Sequence, residues 1–365
     1  MAQNYFQKEL ETMTLEQIRA MQSEKLVKQV KHVYENVPYY RDLMDKKGIT
    51  PDDIKGIDDL YKLPFLTKAD LRDAYPYGLL AKPLEDCVRI QSTSGTTGRR
   101  VVAFYTQKDI DLWEDCCARA IVAVGGTKDD VCHVSYGYGL FTGGLGAHYG
   151  AEYLGAMVLP MSTGNTQKLI DMMIDCDVTS IACTLSYLLH VAEDLEKAGL
   201  VDKIKLKSAI CGAEPWTDEM RDQMEARLHI KAYDIYGLTE MMGPGVACDC
   251  EFHKGLHIWE DHFYPEIINP ETLEPVEDGE IGELVLTTLC REAMPLIRYR
   301  TRDLTCFIKG DCPCGRTHRR IARIQGRSDD MMIVKGVNIF PIQIERILMK
   351  FKELGMNYLI TIETI

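Results

Sequence analysis

Residues 92–100, Ser92-Thr93-Ser94-Gly95-Thr96-Thr97-Gly98-Arg99-Arg100, concentrate hydroxyl groups, glycines and cations in one short stretch. Glycine leaves backbone N–H groups accessible, hydroxyls donate, and the arginines add positive charge, which together make a cradle for phosphate. A Walker A loop needs four residues between its glycines and a following Lys-Ser/Thr; only two residues separate Gly95 from Gly98, so that motif is absent. The plain alternative is a polar surface loop. In Tyr236-Gly237-Leu238-Thr239-Glu240, placed after an apolar run, Thr239 can donate to a phosphate, Glu240 can hold Mg²⁺ and Tyr236 can stack on a base. Cys211-Gly212-Ala213-Glu214-Pro215 follows the preceding apolar run in the same way. In Tyr299-Arg300-Thr301-Arg302-Asp303 a carboxylate is available to accept both ribose hydroxyls, and Gly326-Arg327-Ser328-Asp329-Asp330 is followed by Lys335-Gly336-Val337-Asn338. Taken singly, these are strand-to-turn junctions, a solvated charged strand and an ordinary turn.

Two cysteine pairs suggest a second chemistry. Cys248-Asp249-Cys250-Glu251-Phe252-His253 and Cys312-Pro313-Cys314-Gly315 carry thiols and imidazoles suited to tetrahedral zinc. Cys250, His253, Cys312 and Cys314 are the preferred four, with His257 and Cys248 as substitutes; four protein ligands leave no open position, so the zinc is structural. Most other cysteines, such as Cys176, Cys183 and Cys211, sit singly in apolar stretches, and adjacent Cys116 and Cys117 suit packing in a helix. Buried thiols of this kind fit a reducing cytoplasm.

These groups must be positioned by the elements around them. Residues 1–85 read as a helical N-terminal region: Thr14 and Gln17 form a capping box, apolar residues follow at helical spacing, and Pro38, Pro51, Pro64 and Pro76 break the rest into short pieces. Over 86–245, apolar runs at 131–136, 156–161, 180–185, 208–212 and 231–235 alternate with amphipathic stretches such as 167–176 and 187–198. That alternation predicts an α/β nucleotide-binding core with mostly parallel sheets, and ligands bind at the strand ends of such sheets. Residues 246–325 read as a β-rich subdomain with strands at 283–289 and 304–309 and the possible zinc site. Residues 326–365 read as a hinge and the start of a small α+β C-terminal domain, with a helix over 342–350 and a strand over 358–362; so short a tail is expected to be a truncated domain.

The chain has 365 residues, 46% of them hydrophobic, and a net charge of -13. Such an acidic surface repels phosphate backbones and anionic lipid, so neither nucleic acid nor membrane is an expected partner. The N-terminus lacks an apolar signal core, and no run is long enough for a membrane helix. The helical N-terminal region is suited to a homodimer.

Taken together, in this order, the four phosphate-competent segments resemble the adenylate-forming superfamily of acyl-CoA synthetases. The runs IWEDHFYPEI, PLIRYRTRDL and GRSDDMMIVKGVNIFP are similar to the phenylacetate-CoA ligase family, including its coenzyme F390 synthetase-like members. The resemblance covers nearly the whole chain and implies ATP, Mg²⁺, coenzyme A and a small aromatic carboxylic acid as reactants. It implies that residues 92–98 hold the ATP β- and γ-phosphates, with Arg99 where the family commonly carries Lys. Gly212, Ala213 and Glu214 would border the adenine and Tyr236 its face, beside Gly237. Thr239 would meet the α-phosphate, Glu240 the Mg²⁺, and Asp303 with Arg327 the ribose. Tyr136, Tyr138 and Phe141, with Gly143 and Gly144, would shape the acyl pocket, and residues 327–330 would be the pivot between half-reactions. The family's catalytic lysine lies near the end of its C-terminal domain; Lys335 and Lys350 do not match it. Three activities fit this resemblance: an aryl- or arylacetate-CoA ligase, an enzyme moving AMP itself onto an acceptor, and a non-catalytic nucleotide-binding protein.

Overall fold

Two antiparallel strands, β1 (Cys87–Ser92) and β2 (Val102–Thr106), form a hairpin whose register pairs Ser92 with Val102. After it the chain alternates as the apolar periodicity predicts. β3 (Val131–Val134), β4 (Met157–Leu159), β5 (Ser180–Cys183), β6 (Ser208–Gly212) and β7 (Lys231–Leu238) lie parallel, joined by helices Thr142–Leu154, Thr166–Asp175, Leu185–Ala198 and Asp218–Leu228. In this computed structural model, residues 4–93, 100–329, 332–334, 337–339, 341–348, 351, 360 and 361 are described.

The same sheet then changes direction. β8 (Gly243–Cys248) turns back antiparallel to β7, followed by β9 (Leu256–Ile258). β10 (Phe263–Ile268), β11 (Gly282–Thr288) and β12 (Tyr299–Thr305) form a separate antiparallel sheet. The chain returns to the first sheet with β13 (Phe307–Ile308) and β14 (Arg320–Ile321), giving the order β13-β14-β9-β8-β7-β6-β5-β3-β4. The large sheet is therefore mixed: parallel from β3 to β7, as the periodicity over 86–245 predicts, and antiparallel beyond β7, where the β-rich stretch begins. The reason is the β7–β8 turn: Gly237 and Gly243 lie so close that a side chain at Gly237 would strike the Gly243 carbonyl, so the strand folds straight back without a helical crossover. The run expected as one strand over 304–309 is divided between β12 and β13. β15 (Met332–Val334) and β16 (Val337–Ile339) pair antiparallel, and a helix spans Pro341–Leu348. The strand expected over 358–362 falls mostly outside the described residues.

The N-terminal region is helical at Leu15–Asn36 and Pro38–Lys46, and the Thr14–Gln17 capping box is present. The long helix is strapped to the turn between β9 and β10: Gln22 donates to the Glu260 carbonyl at 2.9 Å, Lys25 to that of Asp261 at 2.6 Å. Further along, Leu66 bridges Tyr299, with Leu66 N–H on the Arg298 carbonyl at 3.0 Å and Arg300 N–H on the Leu66 carbonyl at 2.8 Å. That bridge carries the following helix, Lys68–Asp73, to the edge of the site.

Candidate functional site

The end of β7 and the start of β12 meet in one cleft. Tyr236, half-buried on β7, donates its hydroxyl to Asp303 Oδ2 at 2.6 Å, and Arg327 Nη1 lies 3.4 Å from Asp303 Oδ1. Main-chain pairing of Asp303 with Arg327 fixes this geometry from both sides. Burial pushes the Asp303 carboxyl up to about 6, with the hydrogen bond from Tyr236 and the Arg327 charge opposing the rise. Burial, reinforced by Asp303, raises the Tyr236 phenol well above its ordinary range. Around these groups lies a cavity of about 300 Å³ bordered by Ala213, Glu214, Trp216, Tyr236 and Arg327, of a size for a nucleoside.

Leu238, Asp303 and Arg327 also border a second cavity of about 720 Å³, which Glu240 and Lys68 line. The two spaces thus meet along the β7 exit. Glu240 is 4% exposed, and Lys68 Nζ sits 3.1 Å from its Oε1 with the Tyr299 hydroxyl at 3.4 Å. A buried carboxylate needs a compensating charge, and Lys68 supplies it from the N-terminal region. Arg291, fully buried, donates to the Glu240 carbonyl and holds the backbone of this turn. Thr239 Oγ1 lies 3.4 Å from Thr142 Oγ1 at the start of a glycine-rich helix, so two hydroxyls face each other beside the carboxylate.

Ser92 and Thr93 close the base of the hydroxyl loop: Ser92 N–H donates to the Leu140 carbonyl at 2.9 Å, Thr93 N–H to Val101 at 3.0 Å, and Val101 N–H to Thr93 Oγ1 at 3.1 Å. Ser94, Gly95, Thr96, Thr97, Gly98 and Arg99 lie outside the described residues. Gly212 ends β6 against β7, where a side chain would strike the Ile235 carbonyl. Ala213 follows with φ 71°, a left-handed conformation that costs an alanine about 1–2 kcal/mol. Glu214 turns its carboxylate to the start of helix Leu185–Ala198, accepting from Ser186 N–H at 2.7 Å and Ser186 Oγ at 3.0 Å, so only its flank borders the cavity.

The expected acyl-pocket residues separate. Tyr136 and Gly143 line a small apolar cavity of about 30 Å³ with Ile210 and Ile235. The Tyr136 hydroxyl donates to the Cys183 carbonyl at 2.5 Å and accepts from Gly212 N–H at 2.8 Å, tying β5 to β6 beside the adenine-side turn. Tyr138 contacts His148 Nδ1 at 3.1 Å, and Phe141 is 41% exposed at the start of its helix. Gly144 is required by close approach: a Cβ there would stand 2.8 Å from the Gly137 carbonyl.

The cysteine cluster lies elsewhere. Cys250, Cys312 and Cys314 come together, but the imidazole among them is that of His257. His253, preferred from sequence, lies outside this group: it stacks on Tyr233 with ring centres 4.9 Å apart and contacts Asp249 Oδ2 at 2.7 Å. Cys248 is buried apart from the group, on the strand position paired with His257. The proximity of His257 depends on the β9–β14 pairing, which sequence spacing does not reveal.

Sequence reasoning also missed Lys68, Trp216, Asp234 and Arg323. Arg323 covers the Trp216 ring at 3.9 Å beside Asp234, which burial pushes up to about 7 against the opposing Arg323 charge. Trp216 directly follows Cys211-Gly212-Ala213-Glu214-Pro215, which is a usable signal; nothing local marks Lys68.

Residues 9–290 match the family described as AMP-binding enzyme, and residues 336–365 the AMP-binding enzyme C-terminal domain. The chain is 53% identical to a phenylacetate-coenzyme A ligase of Aromatoleum evansii, covering 97% of this chain and 80% of that one. It is 46% identical to the phenylacetate-coenzyme A ligase of Thermus thermophilus, covering 98% and 81%. Its fold is similar to 2-hydroxyisobutyryl-CoA ligase with 2-HIB-AMP in the postadenylation state: TM-score 0.90, 28% identity, 96% of this chain and 76% of that one. The same ligase with 2-HIB-AMP and CoA in the thioesterification state gives a TM-score of 0.85 at 28% identity, over 97% and 77%.

Proposed function

Since the chain belongs to the phenylacetate-coenzyme A ligase family of AMP-binding enzymes, we propose that it is an ATP-dependent arylacetate-CoA ligase. A carboxylate oxygen of a small aromatic acid attacks the α-phosphorus of ATP, and the bond to the β-phosphate breaks with release of pyrophosphate. The resulting acyl-adenylate is a mixed anhydride. The thiolate of coenzyme A then attacks the acyl carbon and AMP leaves.

The observation that carries this reading is the junction of the two cavities, where Tyr236, Asp303 and Arg327 adjoin Glu240 and Lys68. Asp303 as a carboxylate accepts from ribose hydroxyls, with Tyr236 and Arg327 holding it in place. Ala213 and Trp216 border the base, and the loop anchored by Ser92 and Thr93 supplies phosphate donors. Lys68 and Thr239 stand where charge accumulates on the α-phosphate, which fixed donors in a shielded site stabilise. Glu240 has the buried, cavity-facing carboxylate that suits Mg²⁺; when bound, the ion neutralises triphosphate oxygens. Tyr136 and Gly143, at the apolar cavity, form one wall of the acyl pocket.

The reading also includes a structural zinc ion on Cys250, His257, Cys312 and Cys314, remote from the reacting groups. It places the protein in the cytoplasm, supported by thirteen cysteines of which none forms a disulfide. Among the described residues no helix is long and apolar enough to cross a membrane.

The test is ATP–pyrophosphate exchange with phenylacetate, benzoate, indoleacetate and short fatty acids, followed by thioester formation on adding coenzyme A. Exchange dependent on an arylacetate, with coenzyme A consumed and free AMP released, is the expected result. Exchange with none of these acids, or AMP transferred intact to an acceptor, would overturn it.

A further inference from the structure

We infer that the zinc ion proposed above is a clamp that seats the N-terminal segment, residues 4–11, on the edge of the large sheet; the inference rests on that zinc reading. The four donor atoms of Cys250, His257, Cys312 and Cys314 lie within 4.8 Å of one another, and all four residues are buried. Cys250 Sγ is 3.6 Å from Cys312 Sγ, and His257 Nε2 is 3.3 Å from Cys314 Sγ. A tetrahedral zinc with bonds of about 2.3 Å to sulfur requires sulfur–sulfur edges of about 3.8 Å. These two separations are close to the edges of such a tetrahedron, and the remaining donor pairs are no more than 4.8 Å apart.

The two loops joined this way are otherwise linked by main-chain and side-chain hydrogen bonds: β9 pairs with β14, and Arg320 donates to the Lys254 and Gly310 carbonyls. β13 and β14 pair over only Phe307–Ile321 and Ile308–Arg320, and so short a ladder is marginal by itself. Among the described residues the apolar packing around the three thiols is supplied by Phe252. Apolar packing at the cluster itself is thus slight, and a metal cross-link adds to these hydrogen bonds a tie between the two loops at the thiols.

The N-terminal segment docks on the loop that the cluster closes. Tyr5 donates its hydroxyl to the Cys314 carbonyl at 2.8 Å, and its ring lies under the Arg316 guanidinium at 5.1 Å. Arg316 Nε meets Glu11 Oε2 at 2.7 Å, with Arg316 4% exposed and Glu11 fully buried. Arg316 also donates to the Asn4 carbonyl at 2.6 Å, Thr317 N–H to that of Glu11 at 3.1 Å, and His318 Nε2 lies 2.9 Å from the Leu10 carbonyl. A buried ion pair keeps its geometry only while both partners are held; Arg316 is held two residues from a ligand.

Zinc content of protein purified without added zinc, read together with amide hydrogen exchange over residues 4–12, tests the clamp. About one zinc per chain is expected in the wild type and in His253→Gln, and loss in Cys314→Ser and His257→Gln. Zinc-free protein should exchange the segment's amides at least about tenfold faster. If Cys314→Ser does not fold, chelation of the wild-type protein gives the same readout. Clearly substoichiometric zinc, or a Cys250–Cys312 disulfide in its place, would overturn the zinc reading and the clamp together. Stoichiometric zinc whose removal leaves the exchange unchanged would overturn the clamp alone.

Discussion

The nucleotide cleft and the cysteine cluster both assemble distant residues, yet they are built in opposite ways. In the cleft, charged groups border open cavities and each is held by a second group: Asp303 by Tyr236, Glu240 by Lys68. In the cluster, four metal-competent donors face one another and all four residues are buried. A site that turns over substrate needs groups that are positioned but accessible, whereas a structural knuckle needs groups that are closed off. Substitutions should therefore separate the two regions, with the cleft losing activity at little cost in stability and the cluster losing stability first.

The largest expected effect is at Glu240 and Lys68. Glu240→Gln should lower the exchange rate by about 100-fold or more and Lys68→Met by about tenfold or more. The thermal midpoint of Glu240→Gln should stay close to wild type, because the Lys68 left behind is a third exposed, whereas Lys68→Met leaves the buried Glu240 carboxylate uncompensated and should lower the midpoint modestly. The double variant should lose less than the product of the two, since the groups are in contact. A loss of stability at Lys68→Met comparable to that at Cys314→Ser would erase the contrast between the regions.

The next effect sharpens the cleft itself. Asp303 has its carboxyl raised to about 6 by burial. Below that pH the folded protein carries it neutral, and it ionises as pH rises through about 6. Adenosine affinity, measured by calorimetry, should therefore rise between about pH 5 and pH 7, and Asp303→Asn should flatten the profile. The sign for stability is opposite. Between the ordinary carboxyl value of 3.8 and about 6, the native state holds a proton that the unfolded chain has released. This group's contribution to stability then falls as pH rises through that window.

The smallest effect is at Ala213. Glycine relieves the left-handed backbone strain but adds freedom to the unfolded chain, so Ala213→Gly should stabilise by only about 0.5 kcal/mol. Denaturant midpoints would show it, and a clear destabilisation would mean that the methyl group packs against the site.

Much of the fold was legible before the structure. The strands at β3, β5, β6 and β7 and the capping box at Thr14 follow from local periodicity and local hydrogen bonding, which a linear sequence records. So do the junctions Gly212-Ala213-Glu214 and Tyr236-Gly237, because glycine marks where strands end in close approach. The reversal of the sheet after β7 was not legible, since it depends on Gly237 and Gly243 meeting across a turn. Glu214 was read as bordering the adenine; it does line the cavity, and what spacing does not record is that its carboxylate is committed to Ser186.

By itself the sequence determined which chemistry the chain carries: hydroxyl, carboxylate and guanidinium groups at strand ends, and four thiols in two short pairs. Only the tertiary structure decided which groups meet. His257 replaces His253 because β9 pairs with β14, and Lys68 reaches Glu240 because Leu66 docks on Tyr299. Both outcomes rest on main-chain hydrogen bonds between segments far apart in the chain. Such bonds take their partners from the folded backbone and leave no signature in residue type or spacing.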